Sequence, residues 1–141
     1  MPFPASSFAM SWVFEDEADP HADELLTVLE GEGVAVVPAV LWGLEIANCL
    51  EIARRKRRLT DRKVEERRRF LEALPVVEVI PPHGLGAAIH DLCTKFGLTS
   101  YDAAYLGLAI EERLPLATKD RDLIAAAKGA RAGLWTATGV Q

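Results

Sequence analysis

Cysteine and histidine are scarce in this chain, with two of the first and three of the second among 141 residues. Cys49 and Cys93 stand far apart without CxxC spacing, so neither a disulfide framework nor a zinc site is implied. Both are expected to lie reduced in helices of a cytoplasmic protein. His21, His83 and His90 show no ligand spacing and read as solvated helix or loop positions. The glycine-rich phosphate loops and the nucleophile elbow are missing too, with no GxGxxG, GxxxxGK[ST] or GxSxG. Ser6 and Ser7 have no evident His–Asp partnership, which disfavours a serine nucleophile. The longest nearly uncharged apolar stretch, Gly33 to Leu44, is too short to span a bilayer and is broken by Pro38. No basic residue precedes the N-terminal apolar segment, so it does not read as a secretory signal. Repeats and low-complexity linkers are lacking, and a single domain over residues 1–141 is expected, long enough to bury a real core.

Basic residues are rare everywhere except in one window. Ten of the 16 Lys and Arg residues lie between Arg54 and Arg69, in "RRKRRLTDRKVEERRR". That leaves six bases against 18 acids elsewhere (21 less Asp61, Glu65 and Glu66). The net charge of −5 therefore hides a polarised molecule. A solvated face of two helices accounts for the window. A phosphate-facing edge, with Arg54, Arg55, Arg57 and Arg58 as weak candidates for RNA contact, accounts for it equally well.

What is present is an alternation of extended and helical patterns. "FPAS" reads as a short first strand, imperfect because of Pro2 and Pro4. A helix over Ser7 to Phe14 follows, then one starting at Asp19 or Pro20 and ending at Gly31 and Gly33. "VAVVP" suits a buried parallel strand. A long helix from Ala39 runs into the basic window, and Thr60 caps the next, through about Ala73. "VVEVI" alternates as a strand, a helix runs from about Gly84 to Phe96, and Thr99 caps "SYDAAYLGLAIEE". "LPLAT" is a short strand, "KDRDLIAAAK" enters a helix, and a last strand lies near "GLWTA". Such alternation argues for an α/β fold with a parallel sheet and helices on both faces. Trp12, Trp42 and Trp135 read as core or interface residues.

Three acids interrupt apolar surroundings. Glu45 lies in "VLWGLEIANCL", Asp102 in "LTSYDAAYLGLAI", and Asp120 directly follows "LPLAT", with Asp122 two residues on. Each alone has a plain reading: an exposed helix stripe for Glu45, and helix N-termini for Asp102 and Asp120. Together they converge, because parallel strands present their C-terminal ends on one edge, where ligands bind. Converging carboxylates repel unless they share protons or a cation. An oxygen-only set suits Mg²⁺ or Mn²⁺ better than zinc, and such a site would support metal-assisted hydrolysis of a phosphodiester.

In their order, "SSFAMSWVFEDE", "VVPAVLWGLEIANCL" and "GLTSYDAAYLGLAIEERLPLATKDRDL" make the whole chain resemble the PIN-domain ribonucleases. The resemblance is strongest to the VapC toxins of VapBC toxin–antitoxin pairs, and "LTSYDAAYLxLA…LPLATKD" is its most specific part. It implies a PIN-like three-layer α/β/α sandwich with a mainly parallel central sheet, and Mg²⁺- or Mn²⁺-dependent cleavage of RNA. It also implies neutralisation by a VapB-type antitoxin and pairing as a homodimer. Carried over by residue, the family's helix acid falls on Glu45 and its YDA acid on Asp102. Its T-x-D acid falls on Asp120 and a supporting acid on Asp122, while Ser7 and Thr118 match polar residues that line the site.

One position departs from the pattern. Counting back from Ser11 and Trp12 puts the family's first metal-holding Asp on Ala5. The acid is absent rather than shifted, because Asp16 and Asp19 lie beyond the first helix. Strongly reduced activity is therefore expected of this chain. An engineered Asp-to-Ala replacement that silences a toxic enzyme fits the otherwise intact acids. A naturally inactive PIN-like module binding RNA or a regulatory partner is the alternative.

Overall fold

A computed structural model describes residues 3–4, 6–83, 85–136 and 139–140, with side chains described over 8–83 and 85–136. Ala5 therefore lies outside the described residues, as do Gly84, Ala137 and the side chain of Ser7.

The strands are short and pair two by two. β1 (Phe3–Pro4) runs parallel to β4 (Leu116–Ala117), with Pro4 opposite Ala117. β2 (Ala35–Pro38) runs parallel to β3 (Val76–Val79), with Ala35 opposite Val76 and Pro38 opposite Val79. β1 packs beside β2, and a parallel bridge from Leu116 to Leu134 brings in β5 (Trp135–Thr136). β5 forms an antiparallel hairpin with β6 (Gly139–Val140), a strand the sequence pattern did not announce. The strands thus form the parallel pairs β1–β4 and β2–β3 and the antiparallel pair β5–β6.

Two groups of helices flank the strands. α1 (Ser6–Val13) packs on α2 (Pro20–Glu30) and α3 (Leu41–Arg55), and α3 on α4 (Asp61–Glu72). α5 (Ala87–Phe96), α6 (Ser100–Glu112) and α7 (Arg121–Gly129) pack together, with α6 also against β2 and β4. This is the expected α/β sandwich. α6 is buried almost all round, through Ala103, Ala104, Tyr105, Leu106, Leu108 and Ala109. Its alanines let neighbouring elements approach closely while Leu106 and Leu108 fill the core.

Local chemistry sets most helix starts. Thr60 Oγ1 accepts from Lys63 N at 3.2 Å, and Asp19 Oδ1 accepts from His21 N at 2.9 Å and Ala22 N at 3.2 Å. Asp19→Ala is expected to cost about 1 kcal/mol of stability, read as a lower denaturation midpoint. α5 begins at Ala87, not near Gly84, and closes on Gly97 in the left-handed region at φ 66°.

The start of α3 differs from expectation for a specific reason. Leu41 N donates to Ala39 O at 2.8 Å across Val40, whose φ of 68° and ψ of −50° define a γ-turn. The helix therefore begins at Leu41, two residues after the expected start. A β-branched residue with positive φ is strained by about 1–3 kcal/mol, and the strain sits immediately before the helix that carries Glu45.

The basic window resolves into exposed ion pairs. Arg54 and Arg55 bond Glu51, while Arg68 bridges Glu65 and Glu72. Arg69 joins Glu65, and Arg62 joins Glu66. Arg58 reaches Asp16 and Glu17 and stacks over Phe14 at 4.0 Å. Three of the four arginines named for RNA contact are thus engaged with carboxylates. Exposed pairs of this kind are weak enough to exchange for phosphate.

Candidate active site

The candidate acids come from two helix starts and from the second turn of a third helix. β4 ends at Ala117, and Thr118, which is buried, turns the chain outward. Thr118 Oγ1 accepts from Asp120 N at 3.1 Å, and Asp120 Oδ1 in turn accepts from Leu123 N at 2.9 Å. Asp120 is therefore the N-cap of α7, as its plain reading had it, and that role occupies Oδ1. Asp122 follows in the first turn, exposed. On the neighbouring helix, Thr99 Oγ1 accepts from Asp102 N at 3.2 Å and caps α6.

These acids sense one another. The Asp102 carboxyl is pushed above its ordinary range, first by burial and then by the charge of Asp120. A hydrogen bond from Thr99 works in the opposite direction, and Asp122 adds a further upward push. Both members of the helix-start pair thus keep their capping or first-turn roles, and the charge of Asp120 still reaches the Asp102 carboxyl.

Glu45 approaches from α3, half-buried. Its charge reaches Tyr105 of α6, which is only 1 % exposed. The phenol is held protonated by burial first, then by the charge of Glu45 and a hydrogen bond to it, with Asp102 adding to the effect. Glu45 also raises the Cys49 thiol, after burial and ahead of Glu17. Tyr105 was missed in the sequence, although it lies three residues after Asp102 and so on the same side of the helix. Tyr105→Phe keeps the ring packing and removes the donor to Glu45. It is expected to cost about 1 kcal/mol, measured by urea unfolding.

Of the residues singled out in the sequence, Glu45 and Asp102 line one cavity and the charges of Asp120 and Asp122 reach Asp102, while Thr118 accepts from Asp120 N. Ser7 lies in α1, while Ala5 lies outside the described residues. Trp12 is structural, its indole donating to Ala22 O at 2.7 Å, and Trp42 is buried in the core.

The donor set fits a hard divalent cation: it is all oxygen, and its members repel in a way that positive charge relieves. The fit is incomplete. Among the described residues no three Asp, Glu, His or Cys side chains gather closely enough to hold a metal ion. Also among the described residues, no helix is long and apolar enough to cross a membrane.

Comparison with known proteins agrees with this fold. No curated protein matches the chain. Among solved structures, the crystal structure of PAE2754 from Pyrobaculum aerophilum is similar at a TM-score of 0.63 and 24 % identity. The match covers 90 % of this chain and 79 % of that one, and at this identity it is a likeness of fold. The PIN domain family model matches residues 6–129. A match over most of the chain, on a parallel α/β fold with acids at the strand ends, shows that this chain belongs to the PIN-domain family, whose members are generally metal-dependent nucleases.

Proposed function

We propose that the chain is a VapC-type toxin scaffold, an endoribonuclease whose first carboxylate is replaced by Ala5. The observation that carries this reading is that Glu45 of α3 and Asp102 of α6 line one cavity, with the charges of Asp120 and Asp122 reaching Asp102. Glu45, Asp102 and Asp120, supported by Asp122, would hold Mg²⁺ or Mn²⁺, which supplies positive charge against a phosphodiester when bound. The chain's own residues do the positioning. Thr118 and the α7 N-terminus fix Asp120, Thr99 fixes Asp102, and the buried Tyr105 phenol lies within reach of the Glu45 charge.

The same acids would accept an arginine from a wrapping antitoxin segment as readily as a cation. A VapB-type partner, a homodimer and a cytoplasmic location follow from the same reading, as does a single domain over 1–141. The weakly paired arginines at the end of α3, Arg54 to Arg58, offer RNA phosphates an exchangeable cationic surface.

The test is RNA cleavage by Ala5→Asp beside the parent chain, in Mg²⁺ or Mn²⁺ and in EDTA, over a broad RNA panel. Cation-dependent cleavage by the variant supports the nuclease reading. A variant inert on every RNA overturns it. Co-purification with a small protein encoded next door tests the antitoxin separately.

A further inference from the structure

A second feature shares the acids but is not used by them. Between α3 and the N-terminus of α6 lies an open cavity of about 480 Å³, within the range of small-molecule sites. Its walls include Glu45 and Asp102 together with Leu41, Leu44, Asn48 and Tyr101. The Tyr101 ring is 63 % exposed and contributes little to the core, and Leu44 is equally exposed at 63 %.

We propose that this cavity seats one unpaired nucleobase of single-stranded RNA, stacked on Tyr101, so that the substrate is read through a base out of its stack. The inference rests on the nuclease reading. A flat ring beside aliphatic walls suits a planar aromatic ligand, and the Asn48 carboxamide supplies a donor and an acceptor for its edge. Charge selects the base over other parts of the strand. A further phosphate would be repelled by Glu45 and Asp102, whereas an uncharged base sits beside them without that cost. Proximity selects it as well. Because the cavity is walled by two of the acids, its occupant lies within one nucleotide of a phosphodiester held there. A base locked in a duplex cannot turn into such a recess, so paired RNA is excluded.

The experiment uses the parent chain in Mg²⁺ buffer and fluorescence anisotropy of a labelled oligoadenylate. The comparison probes are an all-abasic ribose-phosphate oligomer of equal length and the same oligoadenylate annealed to oligouridylate. Tyr101→Ala is expected to weaken oligoadenylate binding about tenfold and to leave the abasic oligomer unchanged. Tyr101→Phe is expected to bind like the parent, and the duplex to bind more weakly than the single strand. An unchanged melting temperature checks that Tyr101→Ala remains folded, as its exposure predicts. An equal loss on both single-stranded probes, no loss on either, or a duplex bound as tightly as the single strand overturns the seat. Tyr101→Ala without effect on RNA would return this surface to a protein partner. Failure of the seat and failure of the nuclease reading are distinct, since the first is read from base-dependent binding and the second from cleavage by Ala5→Asp.

Discussion

Ala5→Asp is expected to raise RNA cleavage by on the order of a thousandfold in Mg²⁺ or Mn²⁺, and EDTA is expected to abolish the gain. The reason lies in what surrounds the position in the chain. β1 ends at Pro4, opposite Ala117, and Thr118 and Asp120 leave the adjacent strand from that same end. The described acids stop short of a metal-holding cluster, and the resemblance assigns the missing member to residue 5. Supplying it brings a further oxygen donor to an edge where Asp102 is already raised by its neighbours. More negative charge there strengthens cation binding and repulsion alike. The variant should therefore melt lower than the parent in EDTA and gain more in melting temperature from Mg²⁺. Single-turnover cleavage and thermal melts measure the two effects. A variant that cleaves no faster than the parent would remove residue 5 from the site.

Much of this was legible in the chain itself, for physical reasons that differ by element. Asp19, Thr60, Thr99 and Asp120 are local caps, so each start could be read from one side chain and its near neighbours. Most ion pairs of the basic window are also local, because Glu51, Glu65 and Glu72 stand three or four residues from their arginines. The γ-turn at Val40 was not legible, since a valine disfavours positive φ and the neighbouring bond from Ala39 N to Val79 O joins residues far apart in sequence. The β5–β6 hairpin rests on two residues per strand, too few to show a period. The site divides in the same way. Its acids were visible as charges in apolar company, but the link from Glu45 to Tyr105 joins helices far apart in sequence. No local pattern records that link, and the cavity beside Tyr101 exists only once α3 and α6 meet.

Asp102→Asn is expected to move stability and activity in opposite directions. The carboxyl of Asp102 is raised above the ordinary value of 3.8, chiefly by burial and then by Asp120. The folded chain therefore binds this proton more tightly than the unfolded chain. The stability this contributes is fully present below pH 3.8 and is lost as pH rises through the raised folded value. At neutral pH the folded state carries a half-buried carboxylate facing Asp120 and Asp122, and the asparagine removes that charge. Melting temperature at pH 7 should rise in Asp102→Asn, and the decline in stability above pH 3.8 should flatten. Glu51 opposes the trend in acid. Held down to about 2 by Arg54 and Arg55, it contributes stability above its ordinary range that is lost as pH falls toward that value. The parent should thus gain from Asp102 first as pH drops from neutrality, before the Glu51 pairs dissolve. Mg²⁺ should raise the melting temperature of the parent at pH 7 and raise that of Asp102→Asn less. In the Ala5→Asp chain the same asparagine should lower cleavage by on the order of a hundredfold or more, because it removes a carboxylate that the proposed nuclease site would use to hold the cation. A destabilised Asp102→Asn, or one with the parent's full response to Mg²⁺, would mean that Asp102 is only the first-turn acid of α6.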